Sequence, residues 1–241
     1  MQRTRPALSI MACGLCLLAN VASIDTAEAL SIRVSQESGF LSNDFDDNIL
    51  GFINPYVTAL SMADFYQYNT PLGASYNGAL NGGPTAESGL TQSFFVQGSD
   101  GLSFAFFHDR PRDGSGGEAF TLWNLEGDTA DVRVRDDRNE FFTTDGTEFF
   151  GTHTWFACCT DGGALGSLDG DWTLFGQFLG DPRGVYDWTA RSSEGEDIAL
   201  ALEDGRRVRF DIVDVPEAST VAMLGMGLLA LSFSRRKLQT D

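Results

Sequence analysis

The chain has 241 residues and a net charge of −18, from 34 acidic side chains, 15 arginines and a single lysine, Lys237. Phosphate binding needs clustered positive charge, so this balance argues against nucleic acid as a partner. Two histidines and four cysteines leave little material for acid–base, thiol or zinc chemistry.

The first predicted element is a leader. Arg3 and Arg5 form a basic start, Ala7 to Ile24 is largely apolar, and Ala27-Glu28-Ala29 fits an A-x-A cleavage site. That order predicts a secretory signal peptide over 1–29, with the mature chain beginning at Leu30. The stretch from Leu30 to Val215 then holds 186 residues, enough for one domain with a real core and too few for two. It carries 30 of the acidic residues and 11 arginines, a net charge of −19.

Its elements read as β-structure throughout. Ser31 to Ser35, Ala130 to Arg135 and Arg207 to Val213 alternate apolar and polar residues, the signature of strands buried on one face. Further strands are predicted at Ser93 to Gln97, Leu102 to His108, Ala119 to Asn124, Glu140 to Thr143, Glu148 to Cys158, Trp172 to Phe178, Val185 to Arg191 and Ile198 to Leu202. Asp-Gly pairs at 100–101, 145–146, 169–170 and 204–205 mark turns. An all-β domain follows, an antiparallel sandwich or jelly roll over 30–214, with a closed barrel as the alternative. Two stretches break the rhythm. Asn54 to Tyr68 suits a short helix or an irregular aromatic strand, and Thr70 to Gly89, rich in glycine, is expected to be an exposed loop.

No catalytic constellation emerges along this domain. His108 and His153 lie beside predicted strands with nothing in the sequence to pair them, which predicts structural or surface roles. Asp113-Gly114-Ser115-Gly116-Gly117 is similar to the G-D-S-G-G of trypsin-like proteases, but Asp and Gly are transposed and His108 lies too close to the serine; a flexible hairpin loop is expected. Glu126 to Asp131 comes near the E-x-D-x-x-E motif of laminarinase-like β-glucanases, yet Glu126-Gly127-Asp128 reads as a turn between strands. No cofactor motif is present. Calcium is the ion that the clustered oxygens of Asp44, Asp46 and Asp47, and of Asp169 and Asp171, would suit; the same residues also serve as turn formers and caps. Cys158 and Cys159 are adjacent, and either a vicinal disulfide or two free thiols fits them.

The last predicted element is a tail of fixed order. Val215, Pro216, Glu217, Ala218, Ser219 and Thr220 precede an apolar helix over 221–234, then Arg235-Arg236-Lys237 and four polar residues. Fourteen helical residues span about 21 Å against a hydrocarbon core of about 30 Å, and the basic cluster would stay on the cytoplasmic side. Val215, Pro216, Glu217, Ser219 and Thr220, with the apolar run and the basic stop, resemble the PEP-CTERM domain, the C-terminal signal of exported bacterial proteins; Ala218 stands where that pattern has its second proline. The resemblance implies an exported, membrane-associated chain handled by exosortase and delivered to the cell surface or extracellular matrix. Two function classes follow: a non-enzymatic surface or matrix protein associated with exopolysaccharide, or a carbohydrate-active enzyme or binding module using carboxylates such as Glu126 and Asp128. Trp123, Trp155, Trp172 and Trp188 would stack on sugars in the second case and fill the core in the first.

Overall fold

The computed structural model describes residues 30–39 and 42–213. Ala27 and Ala29 of the expected signal peptide, the motif from Val215 to Thr220, the apolar run 221–234 and Arg235 to Lys237 all lie outside the described residues. Among those described, no helix is long and apolar enough to cross a membrane.

The alternating and aromatic stretches become fourteen strands, in chain order β1 (Ser31–Gln36), β2 (Ile49–Ile53), β3 (Tyr56–Val57), β4 (Leu90–Gly98), β5 (Gly101–His108), β6 (Gly117–Glu126), β7 (Asp131–Arg135), β8 (Phe141–Thr143), β9 (Glu148–Trp155), β10 (Asp161–Gly166), β11 (Thr173–Phe178), β12 (Asp187–Ala190), β13 (Ile198–Leu200) and β14 (Val208–Val213), with one helix, α1 (Met62–Tyr66). They build a two-sheet sandwich. One sheet runs β2-β1-β14-β11-β6-β9-β8 and the other β13-β12-β4-β5-β10-β7, with β3 paired to β4. Pairing is antiparallel except where β12 and β3 lie parallel to β4, so the second sheet is mixed. After the β4–β5 hairpin the chain changes sheet at nearly every connection, which interleaves residues distant in sequence between the layers.

Burial follows the alternation along β6, β9 and β11 of the first sheet. On β9, Phe149, Gly151, His153 and Trp155 point inward while Glu148, Phe150, Thr152 and Thr154 face out. The inner faces of both sheets meet in a core of Phe95, Phe104, Phe106, Trp123, Phe210 and their neighbours. Each fully buried aromatic of this kind contributes on the order of 2–3 kcal/mol by leaving water.

The central strands of the second sheet, β4, β5 and β10, are buried on both faces, which the sequence pattern did not anticipate. Their outer face is covered by Met62, Phe65, Tyr66 and Tyr76, packed on Phe94, Val96, Ala105, Phe107 and Ala164. Helix α1 begins because Ser61 caps it, its hydroxyl accepting from Asp64 N (3.2 Å) and bonding the Asp64 carboxylate (2.7 Å). The segment after it is therefore not an exposed loop: Ser75, Tyr76 and Asn77 are buried, and Tyr76 stacks on Phe107 with ring centroids 4.1 Å apart. Double coverage also explains β10, a strand no alternation announced. A Cβ at Gly162 would lie 2.2 Å from Phe106 O and 2.8 Å from Tyr66 Oη, and one at Gly163 would lie 2.6 Å from Phe141 Cδ1. Only glycine fits between those neighbours.

Three boundaries move. Strand β9 stops at Trp155, because Phe156 to Cys158 turn outward, and Cys158 bonds Cys159 in a vicinal disulfide. The Asp113–Gly117 segment crosses between sheets, from β5 to β6, and so is not a hairpin. The short β2, lacking alternation, was invisible to the pattern, whereas Asn54 to Tyr68, expected as a short helix or an irregular strand, supplies both β3 and α1.

Candidate functional site

The residues that the sequence offered for sugar chemistry are placed elsewhere. Trp123, Trp155, Trp172 and Trp188 are all buried, at 3 % exposure or less. Trp155 Nε1 donates to Asp109 Oδ2 (2.9 Å) and Trp188 Nε1 to Ser93 Oγ (2.9 Å), so two of the indoles also tie strands together. Glu126 ends β6, Gly127 turns at φ 84°, and Asp128 is spent on backbone amides, accepting from Thr129 N and Asp169 N at 2.7 Å each. An open cleft of about 450 Å³ beside Glu126 is lined by Arg33, Asp171, Trp172, Thr173 and Asp211. Its central acid is clasped: Asp211 accepts from Arg33 Nη2 (3.0 Å) and Thr173 Oγ1 (2.9 Å), and Arg209 Nε lies 2.9 Å away.

The calcium candidates form two separate surface turns. Asp46 Oδ1 accepts from Arg209 Nη2 (2.7 Å), whose hydrogen bond and charge hold the Asp46 carboxyl below the usual aspartate range. Asp44 and Asp47 flank it on the exposed loop after β1, and Asp169 and Asp171 lie on the exposed β10–β11 connection. Ser115 is likewise occupied, its hydroxyl 2.8 Å from both Asp113 oxygens and 3.0 Å from Asp109 Oδ2.

What the fold does assemble is a buried polar cluster between the sheets. Register places His108 opposite both Thr91 and Asp161 on the inner face of the second sheet. Strand β9 brings His153 over them from the other layer, with the two imidazole centroids 5.0 Å apart and both rings fully buried. His153 Nδ1 donates to Asp161 Oδ1 (3.1 Å), and its Nε2 faces Thr121 Oγ1 at 3.4 Å. The other Asp161 oxygen accepts from Thr154 N (2.6 Å), which fixes the carboxylate. Gly151 makes room for the ring, since a Cβ there would lie 2.2 Å from His153 Nε2. His108 Nδ1 meets Thr91 Oγ1 (2.8 Å) while its Nε2 has no partner; burial, then the neighbouring His153, pushes it well below the ordinary histidine range.

Acids close the cluster at one end. The connection from β7 to β8 carries Asp136, Asp137 and Glu140, and because Arg135 pairs with Gly163, Asp136 falls beside the start of β10 next to Asp161. Glu140, His153 and Asp161 bring one ligand atom each within 4.8 Å of one another, and among the described residues they are the group so arranged; none of the five calcium candidates belongs to it. Both Asp136 oxygens and Glu140 Oε2 are buried without a hydrogen-bond partner. Burial, followed by the charges of Asp161 and Asp137, pushes Glu140 up to about 8, and burial with Asp161 and Glu140 pushes Asp136 well above the aspartate range. Chemically, such a cluster can hold protons or a cation. The sequence hid it because its members come from five strands and a connection, and the only local signal was the pair of glycines following Asp161.

Residues 214–237 match the PEP-CTERM protein-sorting motif. No curated protein and no solved structure matches the chain.

Proposed function

We propose that this protein is an exported, non-enzymatic component of the cell surface or extracellular matrix, sorted by exosortase through its C-terminal segment and acting in association with exopolysaccharide. One observation carries the reading: the sorting motif begins at residue 214, the next residue in the chain after β14 ends at Val213. The domain is thus the cargo of the signal. Its acidic surface suits an exported chain that must stay soluble, and the clasped Asp211 and the buried tryptophans support a role without sugar hydrolysis.

The test is cellular. Deleting residues 215–241 in a host carrying exosortase should move the protein from membrane-associated fractions to the soluble exported pool; unchanged fractionation would sink the reading. A glycan array on the full chain, with and without calcium, then asks whether exopolysaccharide is the associate, and a blank array would remove that part of the proposal.

A further inference from the structure

Buried carboxylates are paired with a cation, bound to a metal or kept protonated, because an uncompensated charge away from water is costly. The corner formed by Asp136, Glu140 and Asp161 lacks the first remedy. Among the described residues no arginine forms an ion pair with any of the three, and the side-chain partner of Asp161 is the imidazole of His153, through a hydrogen bond. Asp136 is 7 % exposed, with both oxygens unpartnered. The arginines of the same connection and strand, Arg135 and Arg138, are exposed.

We propose that Glu140, His153 and Asp161 bind one divalent transition-metal ion, zinc being the one to test first, with Asp136 adding negative charge beside it. The donor set decides the class of ion. Calcium takes oxygen ligands, whereas one imidazole with two carboxylates suits zinc, manganese or iron. The spacing agrees: two donors on one tetrahedral zinc lie about 3.3 Å apart, and His153 Nδ1 and Asp161 Oδ1 are 3.1 Å apart. Binding through Nδ1 moves the His153 proton to Nε2, where it faces Thr121 Oγ1, so the imidazole stays neutral, and the proton released to solvent is the one held by the Glu140 carboxyl. The supporting groups are already in place, since Thr154 N holds the second Asp161 oxygen and Thr121 Oγ1 faces the free nitrogen of His153. Glu140, only partly covered, gives the ion its way in.

The experiment uses the full chain, stripped with EDTA and titrated with zinc by calorimetry and with cobalt by visible spectroscopy. One equivalent should bind with a Kd in the micromolar range or tighter, release protons, and shift the resonances of His153, which the chain's two histidines make simple to assign. Glu140→Gln should weaken zinc at least tenfold and Asp136→Asn by a smaller factor, while both remain folded in EDTA by near-ultraviolet circular dichroism. Absence of zinc binding, preference for calcium, or affinity unchanged by Glu140→Gln would overturn the assignment. If a variant fails to fold, the wild-type chain decides: cobalt bands with a shifted His153 uphold the site, and a spectrum like aqueous cobalt overturns it.

Discussion

Replacing Glu37 by glutamine should be one of the costliest isosteric changes in the domain. The Glu37 side chain is fully buried and accepts from Asn43 N (3.2 Å), Arg207 N (3.0 Å), Arg207 Nε (3.0 Å) and Arg207 Nη2 (2.6 Å). Removing one member of a buried ion pair costs about 3–5 kcal/mol. Here the loss should be smaller, about 2–3 kcal/mol, because glutamine still accepts one or two of these bonds and Arg207 stays a quarter exposed over the rings of Phe45 and Phe175. With a urea m-value of about 2 kcal/mol/M, the midpoint should fall by about 1–1.5 M. Fluorescence of the four buried tryptophans reports the transition. The pH dependence has a definite sign. Burial pushes the Glu37 carboxyl up, but the hydrogen bonds and charge of Arg207, with the Asn43 amide, outweigh it and hold the group below its ordinary 4.5. The unfolded chain therefore takes up this proton first, so the contribution is full above pH 4.5 and is lost as pH falls through the folded value. Wild type and Glu37→Gln should differ by a constant amount from pH 8 to 6 and converge below 4.5. A gap under about 0.5 kcal/mol at pH 7, or one that widens toward pH 4, would refute the account.

Gly163→Ala should lower stability by about 1–3 kcal/mol through overpacking, since its Cβ would start 2.6 Å from Phe141 Cδ1; Gly73→Ala, with nothing within 4 Å, should stay within about 0.5 kcal/mol in the same urea titration. The double change Cys158→Ser with Cys159→Ser should also cost under about 0.5 kcal/mol, because a bond between sequence neighbours closes almost no loop in the unfolded chain; a loss above about 2 kcal/mol would show that the ring supports the turn.

The one-face strands were legible because the physics that buries them acts on every second residue: Val208 and Phe210 inside, Arg209 and Arg207 outside. Strand β10 was not, since a strand covered on both faces has no alternation to show, and its glycines carry no strand signal until Tyr66 and Phe141 are seen against them. The covering segment failed for the same reason in reverse. Tyr76 sits among turn formers, and what buries it is the outer surface of β4 and β5, a long-range fact. The clustered histidines are the sharpest case. His108 and His153 are 45 positions apart, and only the crossing of β5 and β9 between layers brings their rings together. Where the chemistry rests on one sequence-local pattern, as in the tail, the residues announced it.

Strand β14 gives the domain a mechanical character. Ser31 pairs with Val213, so the first and last strands end side by side, and β14 is held along both edges by β1 and β11. A load arriving from residue 214 enters at Val213, at one end of β14. When it is directed along the strand axis against the body of the sheet, the hydrogen bonds of both ladders share it at once, as in a lap joint. A sandwich carried by its C-terminus is thereby fastened through a strand well suited to being pulled.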